Sequence, residues 1–323
     1  MILLGICAAW SLITAAVHDG RPEGMLLAVL AVAAGYAAGR ISGALLPVAA
    51  PCAGSLAGLA LAVTVPDLSP GPRFAAPLGH AGATAALLAL ATGAACCAAW
   101  AARSPALRLG LRLLAAGIAL SGAALGSAGG CAAGAAVLLC SLAAGSMRHR
   151  GPGIAGLGLA SALVAAVTWA VAGGILPEGL GSALEGRLTP QRVQLWQDAL
   201  RLAHRNTGLG VGPGRFGELS PAVPQLLQPD GKPHSAPLQQ AAEQGVPGVL
   251  LLAAAFAWIL YALWRTPRST PIALTAGAAL TAVAALAMLG DALSFTAVTA
   301  GVGLLAGWAT SRPWTAPDTP GSP

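Results

Sequence analysis

"HSAPLQQAAEQGVPGVLLLAAAFAWILYALWR", residues 234–265, joins a polar stretch to an apolar one. No charge interrupts Gly248–Trp264, and with its flanks the run approaches the ~20 residues of helix that cross a bilayer. Gly245 and Pro247 stand at the junction, where glycine's backbone freedom and proline's missing N–H break a helix. The stretch predicts a membrane span entered through a short polar helix, with Ser235 as N-cap and Pro237 in the first turn.

The rest of the chain agrees. Its 323 residues are 56% hydrophobic and 9% charged, against about 25% charged in an average soluble domain. Mean hydropathy is +0.74. Apolar segments fall at about 1–17, 24–39, 42–65, 81–102, 113–128, 131–146, 153–175, 246–264, 271–290 and 294–311. The expected fold class is all-α, a polytopic transmembrane bundle of about ten spans with one large, partly helical loop. The first segment lacks a Lys/Arg n-region and is not read as a cleaved signal peptide. Residues 1–175 make an N-terminal bundle of about seven spans, 176–245 the loop, 246–311 about three further spans, and 312–323 a tail.

Charge excludes one class of function. The net charge is +6, but the basic residues are scattered between apolar segments, so no nucleic-acid surface is expected. The six cysteines (7, 52, 96, 97, 131 and 140) all fall in predicted spans with no CxxC spacing, which reads as apolar filling rather than disulfides or a metal site. Abundant Ala and Gly fit close helix packing in lipid. Arg40, Arg103, Arg108, Arg112, Arg148, Arg150, Arg265, Arg268 and Arg312 gather on one side of the predicted spans, and only Arg21 and Arg73 occupy the short loops opposite. The positive-inside rule makes the nine-arginine side cytoplasmic, with both termini inside and loop 176–245 outside. Trp100, Trp264, Trp308 and Trp314 fall near cytoplasmic ends, as an aromatic belt would.

A connection this long is unusual among short ones and marks a functional segment. It holds six of the 17 Lys/Arg and six of the 11 Asp/Glu. Thr189 and Pro190 open a helix over 190–206. Arg192, Val193, Leu195, Trp196, Ala199, Leu200, Leu202 and Ala203 share its apolar side, while Gln194, Gln197, Asp198, Arg201, His204 and Arg205 take the polar side. Arg192 either snorkels or awaits an anion, whose paired oxygens a guanidinium fork matches. "TGLGVGPGRFGELSP", 207–221, follows, with Gly208 placed to end the helix. No GK[ST] follows Gly210, Gly212 and Gly214, so this is no P-loop. Arg215 at the tip is an exposed charge or a second anion contact. His234 is a structural histidine at a helix entrance or a general base, and Glu243 orients partners or meets water.

Three motifs, "RVQLW" (192–196), "GVGPGRF" (210–216) and "HSAPLQQAAEQGVPG" (234–248), resemble those of the O-antigen ligase and O-antigen polymerase family of bacterial membrane glycosyltransferases. The likeness covers about 60 residues in order and spacing. Fainter echoes are "APLGHAGATAA" (76–86), "GSAGG" (126–130) and "MLGDALSF" (288–295). The Asn residues of the first echo and the Arg of the second are absent, Ser follows the His where Asn is commoner, and the N-terminal region is shorter than in many members. The resemblance implies a GT-C-like, metal-independent enzyme in the cytoplasmic membrane, without a cofactor. Its donor would be a glycan on undecaprenyl diphosphate, its acceptor a glycan or lipid hydroxyl, with membrane lipids around it. Arg192 and Arg215 would bind the donor diphosphate, and Arg192 would serve catalysis by meeting the leaving-group charge. His234 would act as general base, supported by Trp196, Gly210, Gly212, Gly214 and Glu243. A non-catalytic relative, or a transporter or lipid-binding protein, is the alternative.

Overall fold

In the computed structural model, residues 2–64, 78–175, 190–222 and 232–312 are described, and they contain helices and turns with no strand. The helices are α1 (Ile2–His18), α2 (Glu23–Leu45), α3 (Ala49–Thr64), α4 (Leu78–Ala101), α5 (Pro105–Ala124), α6 (Ala128–Ala144) and α7 (Arg150–Ala172). Then come α8 (Pro190–Arg205), the short α9 (Phe216–Leu219), α10 (Ala236–Arg265), α11 (Thr270–Leu289), a 3-10 turn Ala292–Ser294, and α12 (Thr296–Thr310). Among the described residues six helices are long and apolar enough to cross a membrane: α2, α4, α5, α7, α10 and α11. α1, α3, α6 and α12 are apolar but shorter, at 17, 16, 17 and 15 residues.

Side-chain size sets which helices lie inside. α4, rich in Ala and Gly, is 94% buried over its apolar window, and α11 is 67% buried. Small residues let backbones approach without a bulky side chain between them. The helices around them turn Leu and Ile outward, such as Leu120, Leu139, Leu159 and Leu250, which suits lipid and not water. α2 packs closely against α12 through its glycines: its buried residues are Gly35, Gly39 and Gly43. A Cβ on Gly39 would sit 2.3 Å from Leu304 O, and one on Gly303 would sit 2.2 Å from Val32 O.

The end bearing the nine arginines is held by guanidinium groups on backbone carbonyls. Buried Arg268 donates to Gly43 O (2.7 Å) and Ser311 O (3.0 Å), and Arg150 donates to Thr266 O (2.7 Å) and Arg268 O (3.0 Å). Cations there meet the negative ends of helices.

Some boundaries differ from the sequence reading. α2 runs through Arg40 to Leu45 and stops before Pro47, which cannot continue a helix and disfavours helical geometry in the residue before it. α5 begins at Pro105, capped by Ser104 accepting from Leu107 N, so Arg108 and Arg112 are helical. Trp308 is internal rather than part of a belt: it is buried, and its Nε1 donates to Ser42 Oγ (2.9 Å). Trp100 carries Arg112 over its ring at 5.0 Å. Trp314, Thr189 and Arg73 lie outside the described residues. All six cysteines are free thiols.

Candidate functional site

The site is built on the break in α10. Gly245 has φ +68° and ψ −164° inside the helix, as the sequence predicts. A helical carbonyl accepts from the N–H four residues on. The break diverts Val246 N to Thr207 O (2.9 Å), and Pro247 has no N–H to give Glu243 O. The stranded carbonyls must find donors. The glycine turn supplies them: Val211 N donates to Ala242 O and Gly212 N to Glu243 O, both at 2.9 Å. Trp10 Nε1 of α1 donates to Gln244 O at 3.2 Å.

This close docking explains the glycines. Gly210, Gly212 and Gly214 have φ of +68°, +97° and +75°. A Cβ on Gly210 would lie 2.3 Å from Glu243 C, and one on Gly212 would lie 2.7 Å from His18 Cβ. Gly208 has ordinary φ, contrary to its expected helix-ending role; Gly210 N closes onto Asn206 O at 2.9 Å and makes the left-handed exit. At Gly210 the turn's backbone comes against that of α10, which leaves no room for a Cβ.

Glu243 is buried beneath the turn. It accepts from Gln239 Nε2 (3.3 Å) and from the backbone N–H groups of Gly214 and Phe216. Burial pushes its carboxyl up to about 7, against those hydrogen bonds and the Lys232 charge, which pull it down.

α8 clamps the start of α10. Trp196 is fully buried and its Nε1 donates to Pro233 O at 2.9 Å. Trp196, Phe216 and Leu238, one from each motif, share a buried cluster with Leu195, Ala199 and Ala242. Pro233 is the neighbour of His234, so the indole fixes the backbone entering that histidine. His234 is buried and left-handed at φ +51°, a strained conformation for a residue with a Cβ.

Arg192 lies one turn before Trp196 on the same face. It is half-buried, and its Nη1 donates to Leu289 O at 3.0 Å at the end of α11. Burial lowers its proton affinity, yet a guanidinium keeps its charge in a protein. Lys232 Nζ pairs with Asp291 Oδ2 at 3.2 Å, two residues beyond Leu289. Both cations therefore reach the 289–291 segment, with His234 beside Lys232 in sequence. Arg215 is not among them: its Nη1 donates to His18 O (2.8 Å) and its Nε pairs with Glu218 (3.4 Å), which ties the turn to α1.

The fainter echoes come to the same end. A Cβ on Gly82 would be 3.6 Å from Asp291 N, and one on Gly130 would be 3.2 Å from Ala85 Cα. Ala76 and Pro77 lie outside the described residues. The chain matches no family model, no curated protein and no solved structure. Among the described residues no three His, Cys, Asp or Glu side chains gather to hold a metal ion.

Two participants were missed by the sequence reading. Lys232 is the chain's only lysine beside 16 arginines, a signal visible in composition. Asp198, placed on the polar side of α8, is buried; it accepts from Ser220 Oγ (2.7 Å) and Ala222 N (3.2 Å) and pairs with Arg201. The turn leaving α9 covers that flank of α8, which a helical wheel does not show.

Proposed function

We propose that the chain is a membrane glycosyltransferase of the O-antigen ligase and polymerase kind. It moves a glycan from an undecaprenyl-diphosphate-linked donor to an acceptor hydroxyl on the outer face of the cytoplasmic membrane. The observation that supports this most is the convergence at one bundle end. Residues 192–196, 210–216, 234–248 and 288–295 are distant in sequence, yet Trp196, Phe216 and Leu238 share one cluster, and Arg192 and Lys232 meet Leu289 and Asp291.

The chemistry follows from the side chains. His234 takes the proton of the acceptor hydroxyl, whose oxygen forms a bond to the anomeric carbon. The bond from that carbon to the diphosphate oxygen breaks, and its electron pair leaves on the lipid diphosphate. Charge that develops on a leaving oxygen is stabilised best by donors already in place. Arg192, fixed by Leu289 O, is such a group; Lys232 reaches the same segment with its charge paired to Asp291. In this scheme side-chain cations do the work a metal would do. Arg215 and Glu243 hold the glycine turn.

The test is glycan transfer in cells carrying wild type or His234→Ala, with membrane levels matched. Accumulated lipid-linked glycan and lost product are expected; undiminished product would overturn the role of His234. Arg192→Ala combined with His234→Ala should abolish transfer while insertion survives, whereas a transporter or scaffold would hardly respond.

A further inference from the structure

Two buried polar atoms, Ser235 Oγ at the start of α10 and Arg192 Nε on α8, have no hydrogen-bond partner among the described residues. Such groups are rare in folded proteins because burying them unpaired is unfavourable, and a missing ligand is one cause. Ser235 is the N-cap residue and only 1% exposed, yet its hydroxyl receives no N–H from the turn it precedes. A serine in that place ordinarily accepts from the second or third residue of the helix.

The start of α10 offers donors. The N–H groups of Ala236 and Leu238 open the helix, where no intrahelical acceptor exists. Pro237 has none to offer, and Gln239 N is committed to Ser235 O at 2.9 Å. The helical run before the break, 236–244, aims the positive end of its dipole at the same place. Arg192 lies one turn before Trp196 on the same face of α8, and the Trp196 Nε1 holds Pro233 O, two residues before Ser235. The carboxylates nearby are engaged elsewhere, Asp291 with Lys232 and Ser294, and Asp198 with Arg201 and Ser220. A ligand that completes this place must bring acceptors and negative charge. Helix starts of this kind bind phosphoryl oxygens through N–H groups aimed at the anion.

We propose that Ser235 Oγ, the open first turn of α10 and Arg192 Nε together bind one phosphoryl group of the lipid diphosphate. This rests on the transferase reading and adds to it a binding residue, Ser235, whose hydroxyl donates to a phosphoryl oxygen. The same chemistry would accept a free diphosphate, so the test separates the two sources.

Full-length protein in nanodiscs is titrated with undecaprenyl diphosphate and, separately, with inorganic pyrophosphate, for wild type, Ser235→Ala and Ser235→Thr. Loss of one charge-assisted hydrogen bond should weaken lipid binding about tenfold in Ser235→Ala, while Ser235→Thr keeps the hydroxyl and most of the affinity. Unchanged thermal unfolding of Ser235→Ala certifies that the fold persists. An equal loss toward pyrophosphate assigns recognition to the phosphoryl group alone; a loss toward the lipid only assigns it to the membrane-bound headgroup. Equal affinity of wild type and Ser235→Ala for both probes overturns the proposal. If His234→Ala abolishes transfer while Ser235→Ala binds like wild type, the transferase reading stands and the pocket falls. If binding depends on Ser235 but wild type transfers no glycan, the pocket stands and the reading falls.

Discussion

Glu243 shows how much one side chain can organise. It lies under the glycine turn with three donors on it, and burial raises its carboxyl from 4.5 to about 7. The folded protein therefore holds a proton that the unfolded chain has lost between those values. Stability should fall as pH rises from about 4.5 to about 7, by on the order of 3 kcal/mol, and level off above. Thermal unfolding midpoints of wild type should show this slope and those of Glu243→Gln should not; matching slopes would remove Glu243 as the cause. The turn itself makes a second prediction. Gly210→Ala places a Cβ within 2.3 Å of Glu243 C at φ +68°, so it should cost more than the ~1–2 kcal/mol of a left-handed residue alone. Gly208→Ala meets nothing within 4 Å and should be silent. Membrane levels and unfolding midpoints of the two variants check the contrast.

At the scale of elements, α8 and the kinked α10 form one device. The periodicity of 190–206 makes α8 legible from sequence, since its apolar residues recur on one side. The partner it clamps was not legible, because Trp196 reaches a carbonyl 37 positions away in the chain. Trp196→Phe keeps most of the buried ring and removes the bond to Pro233 O. It should cost about 1 kcal/mol of stability and, under the proposed function, lower kcat for transfer at normal expression, because the backbone before His234 loses its anchor. Normal kcat with lowered stability would reduce Trp196 to packing. The polar side of α8 was only partly right: Asp198 is buried because a turn 22 to 24 residues later folds over it, and a wheel knows nothing of later turns.

Across the whole molecule, the glycine seam between α2 and α12 sets how the bundle closes. "GYAAGRISG", 35–43, and "GLLAG", 303–307, place a glycine every fourth residue, so each helix offers a flat stripe to the other's backbone. Gly39→Leu should separate these helices and sharply reduce folded protein in the membrane. Gly110→Leu on α5, where nothing lies within 4 Å, should leave the level near wild type. Similar levels would mean the seam is dispensable. The arginine clasp at one bundle end and the donor-rich site at the other mark opposite ends of the molecule, with α4 and α11 running between them.

Composition and the spacing of apolar runs already imply a helical membrane bundle, because lipid leaves a chain few ways to satisfy its backbone. The break at Gly245, the helix at 190–205 and the positions of Arg192 and His234 also follow from local rules, which act over a few residues. What local rules cannot supply is which distant groups meet. Arg192 at the end of α11, Lys232 on Asp291, the glycine turn over Glu243 and the uncapped Ser235 all arise from packing between elements far apart in the chain. Those contacts, rather than any local preference, bring the three motifs and the 289–291 segment to one end of the bundle.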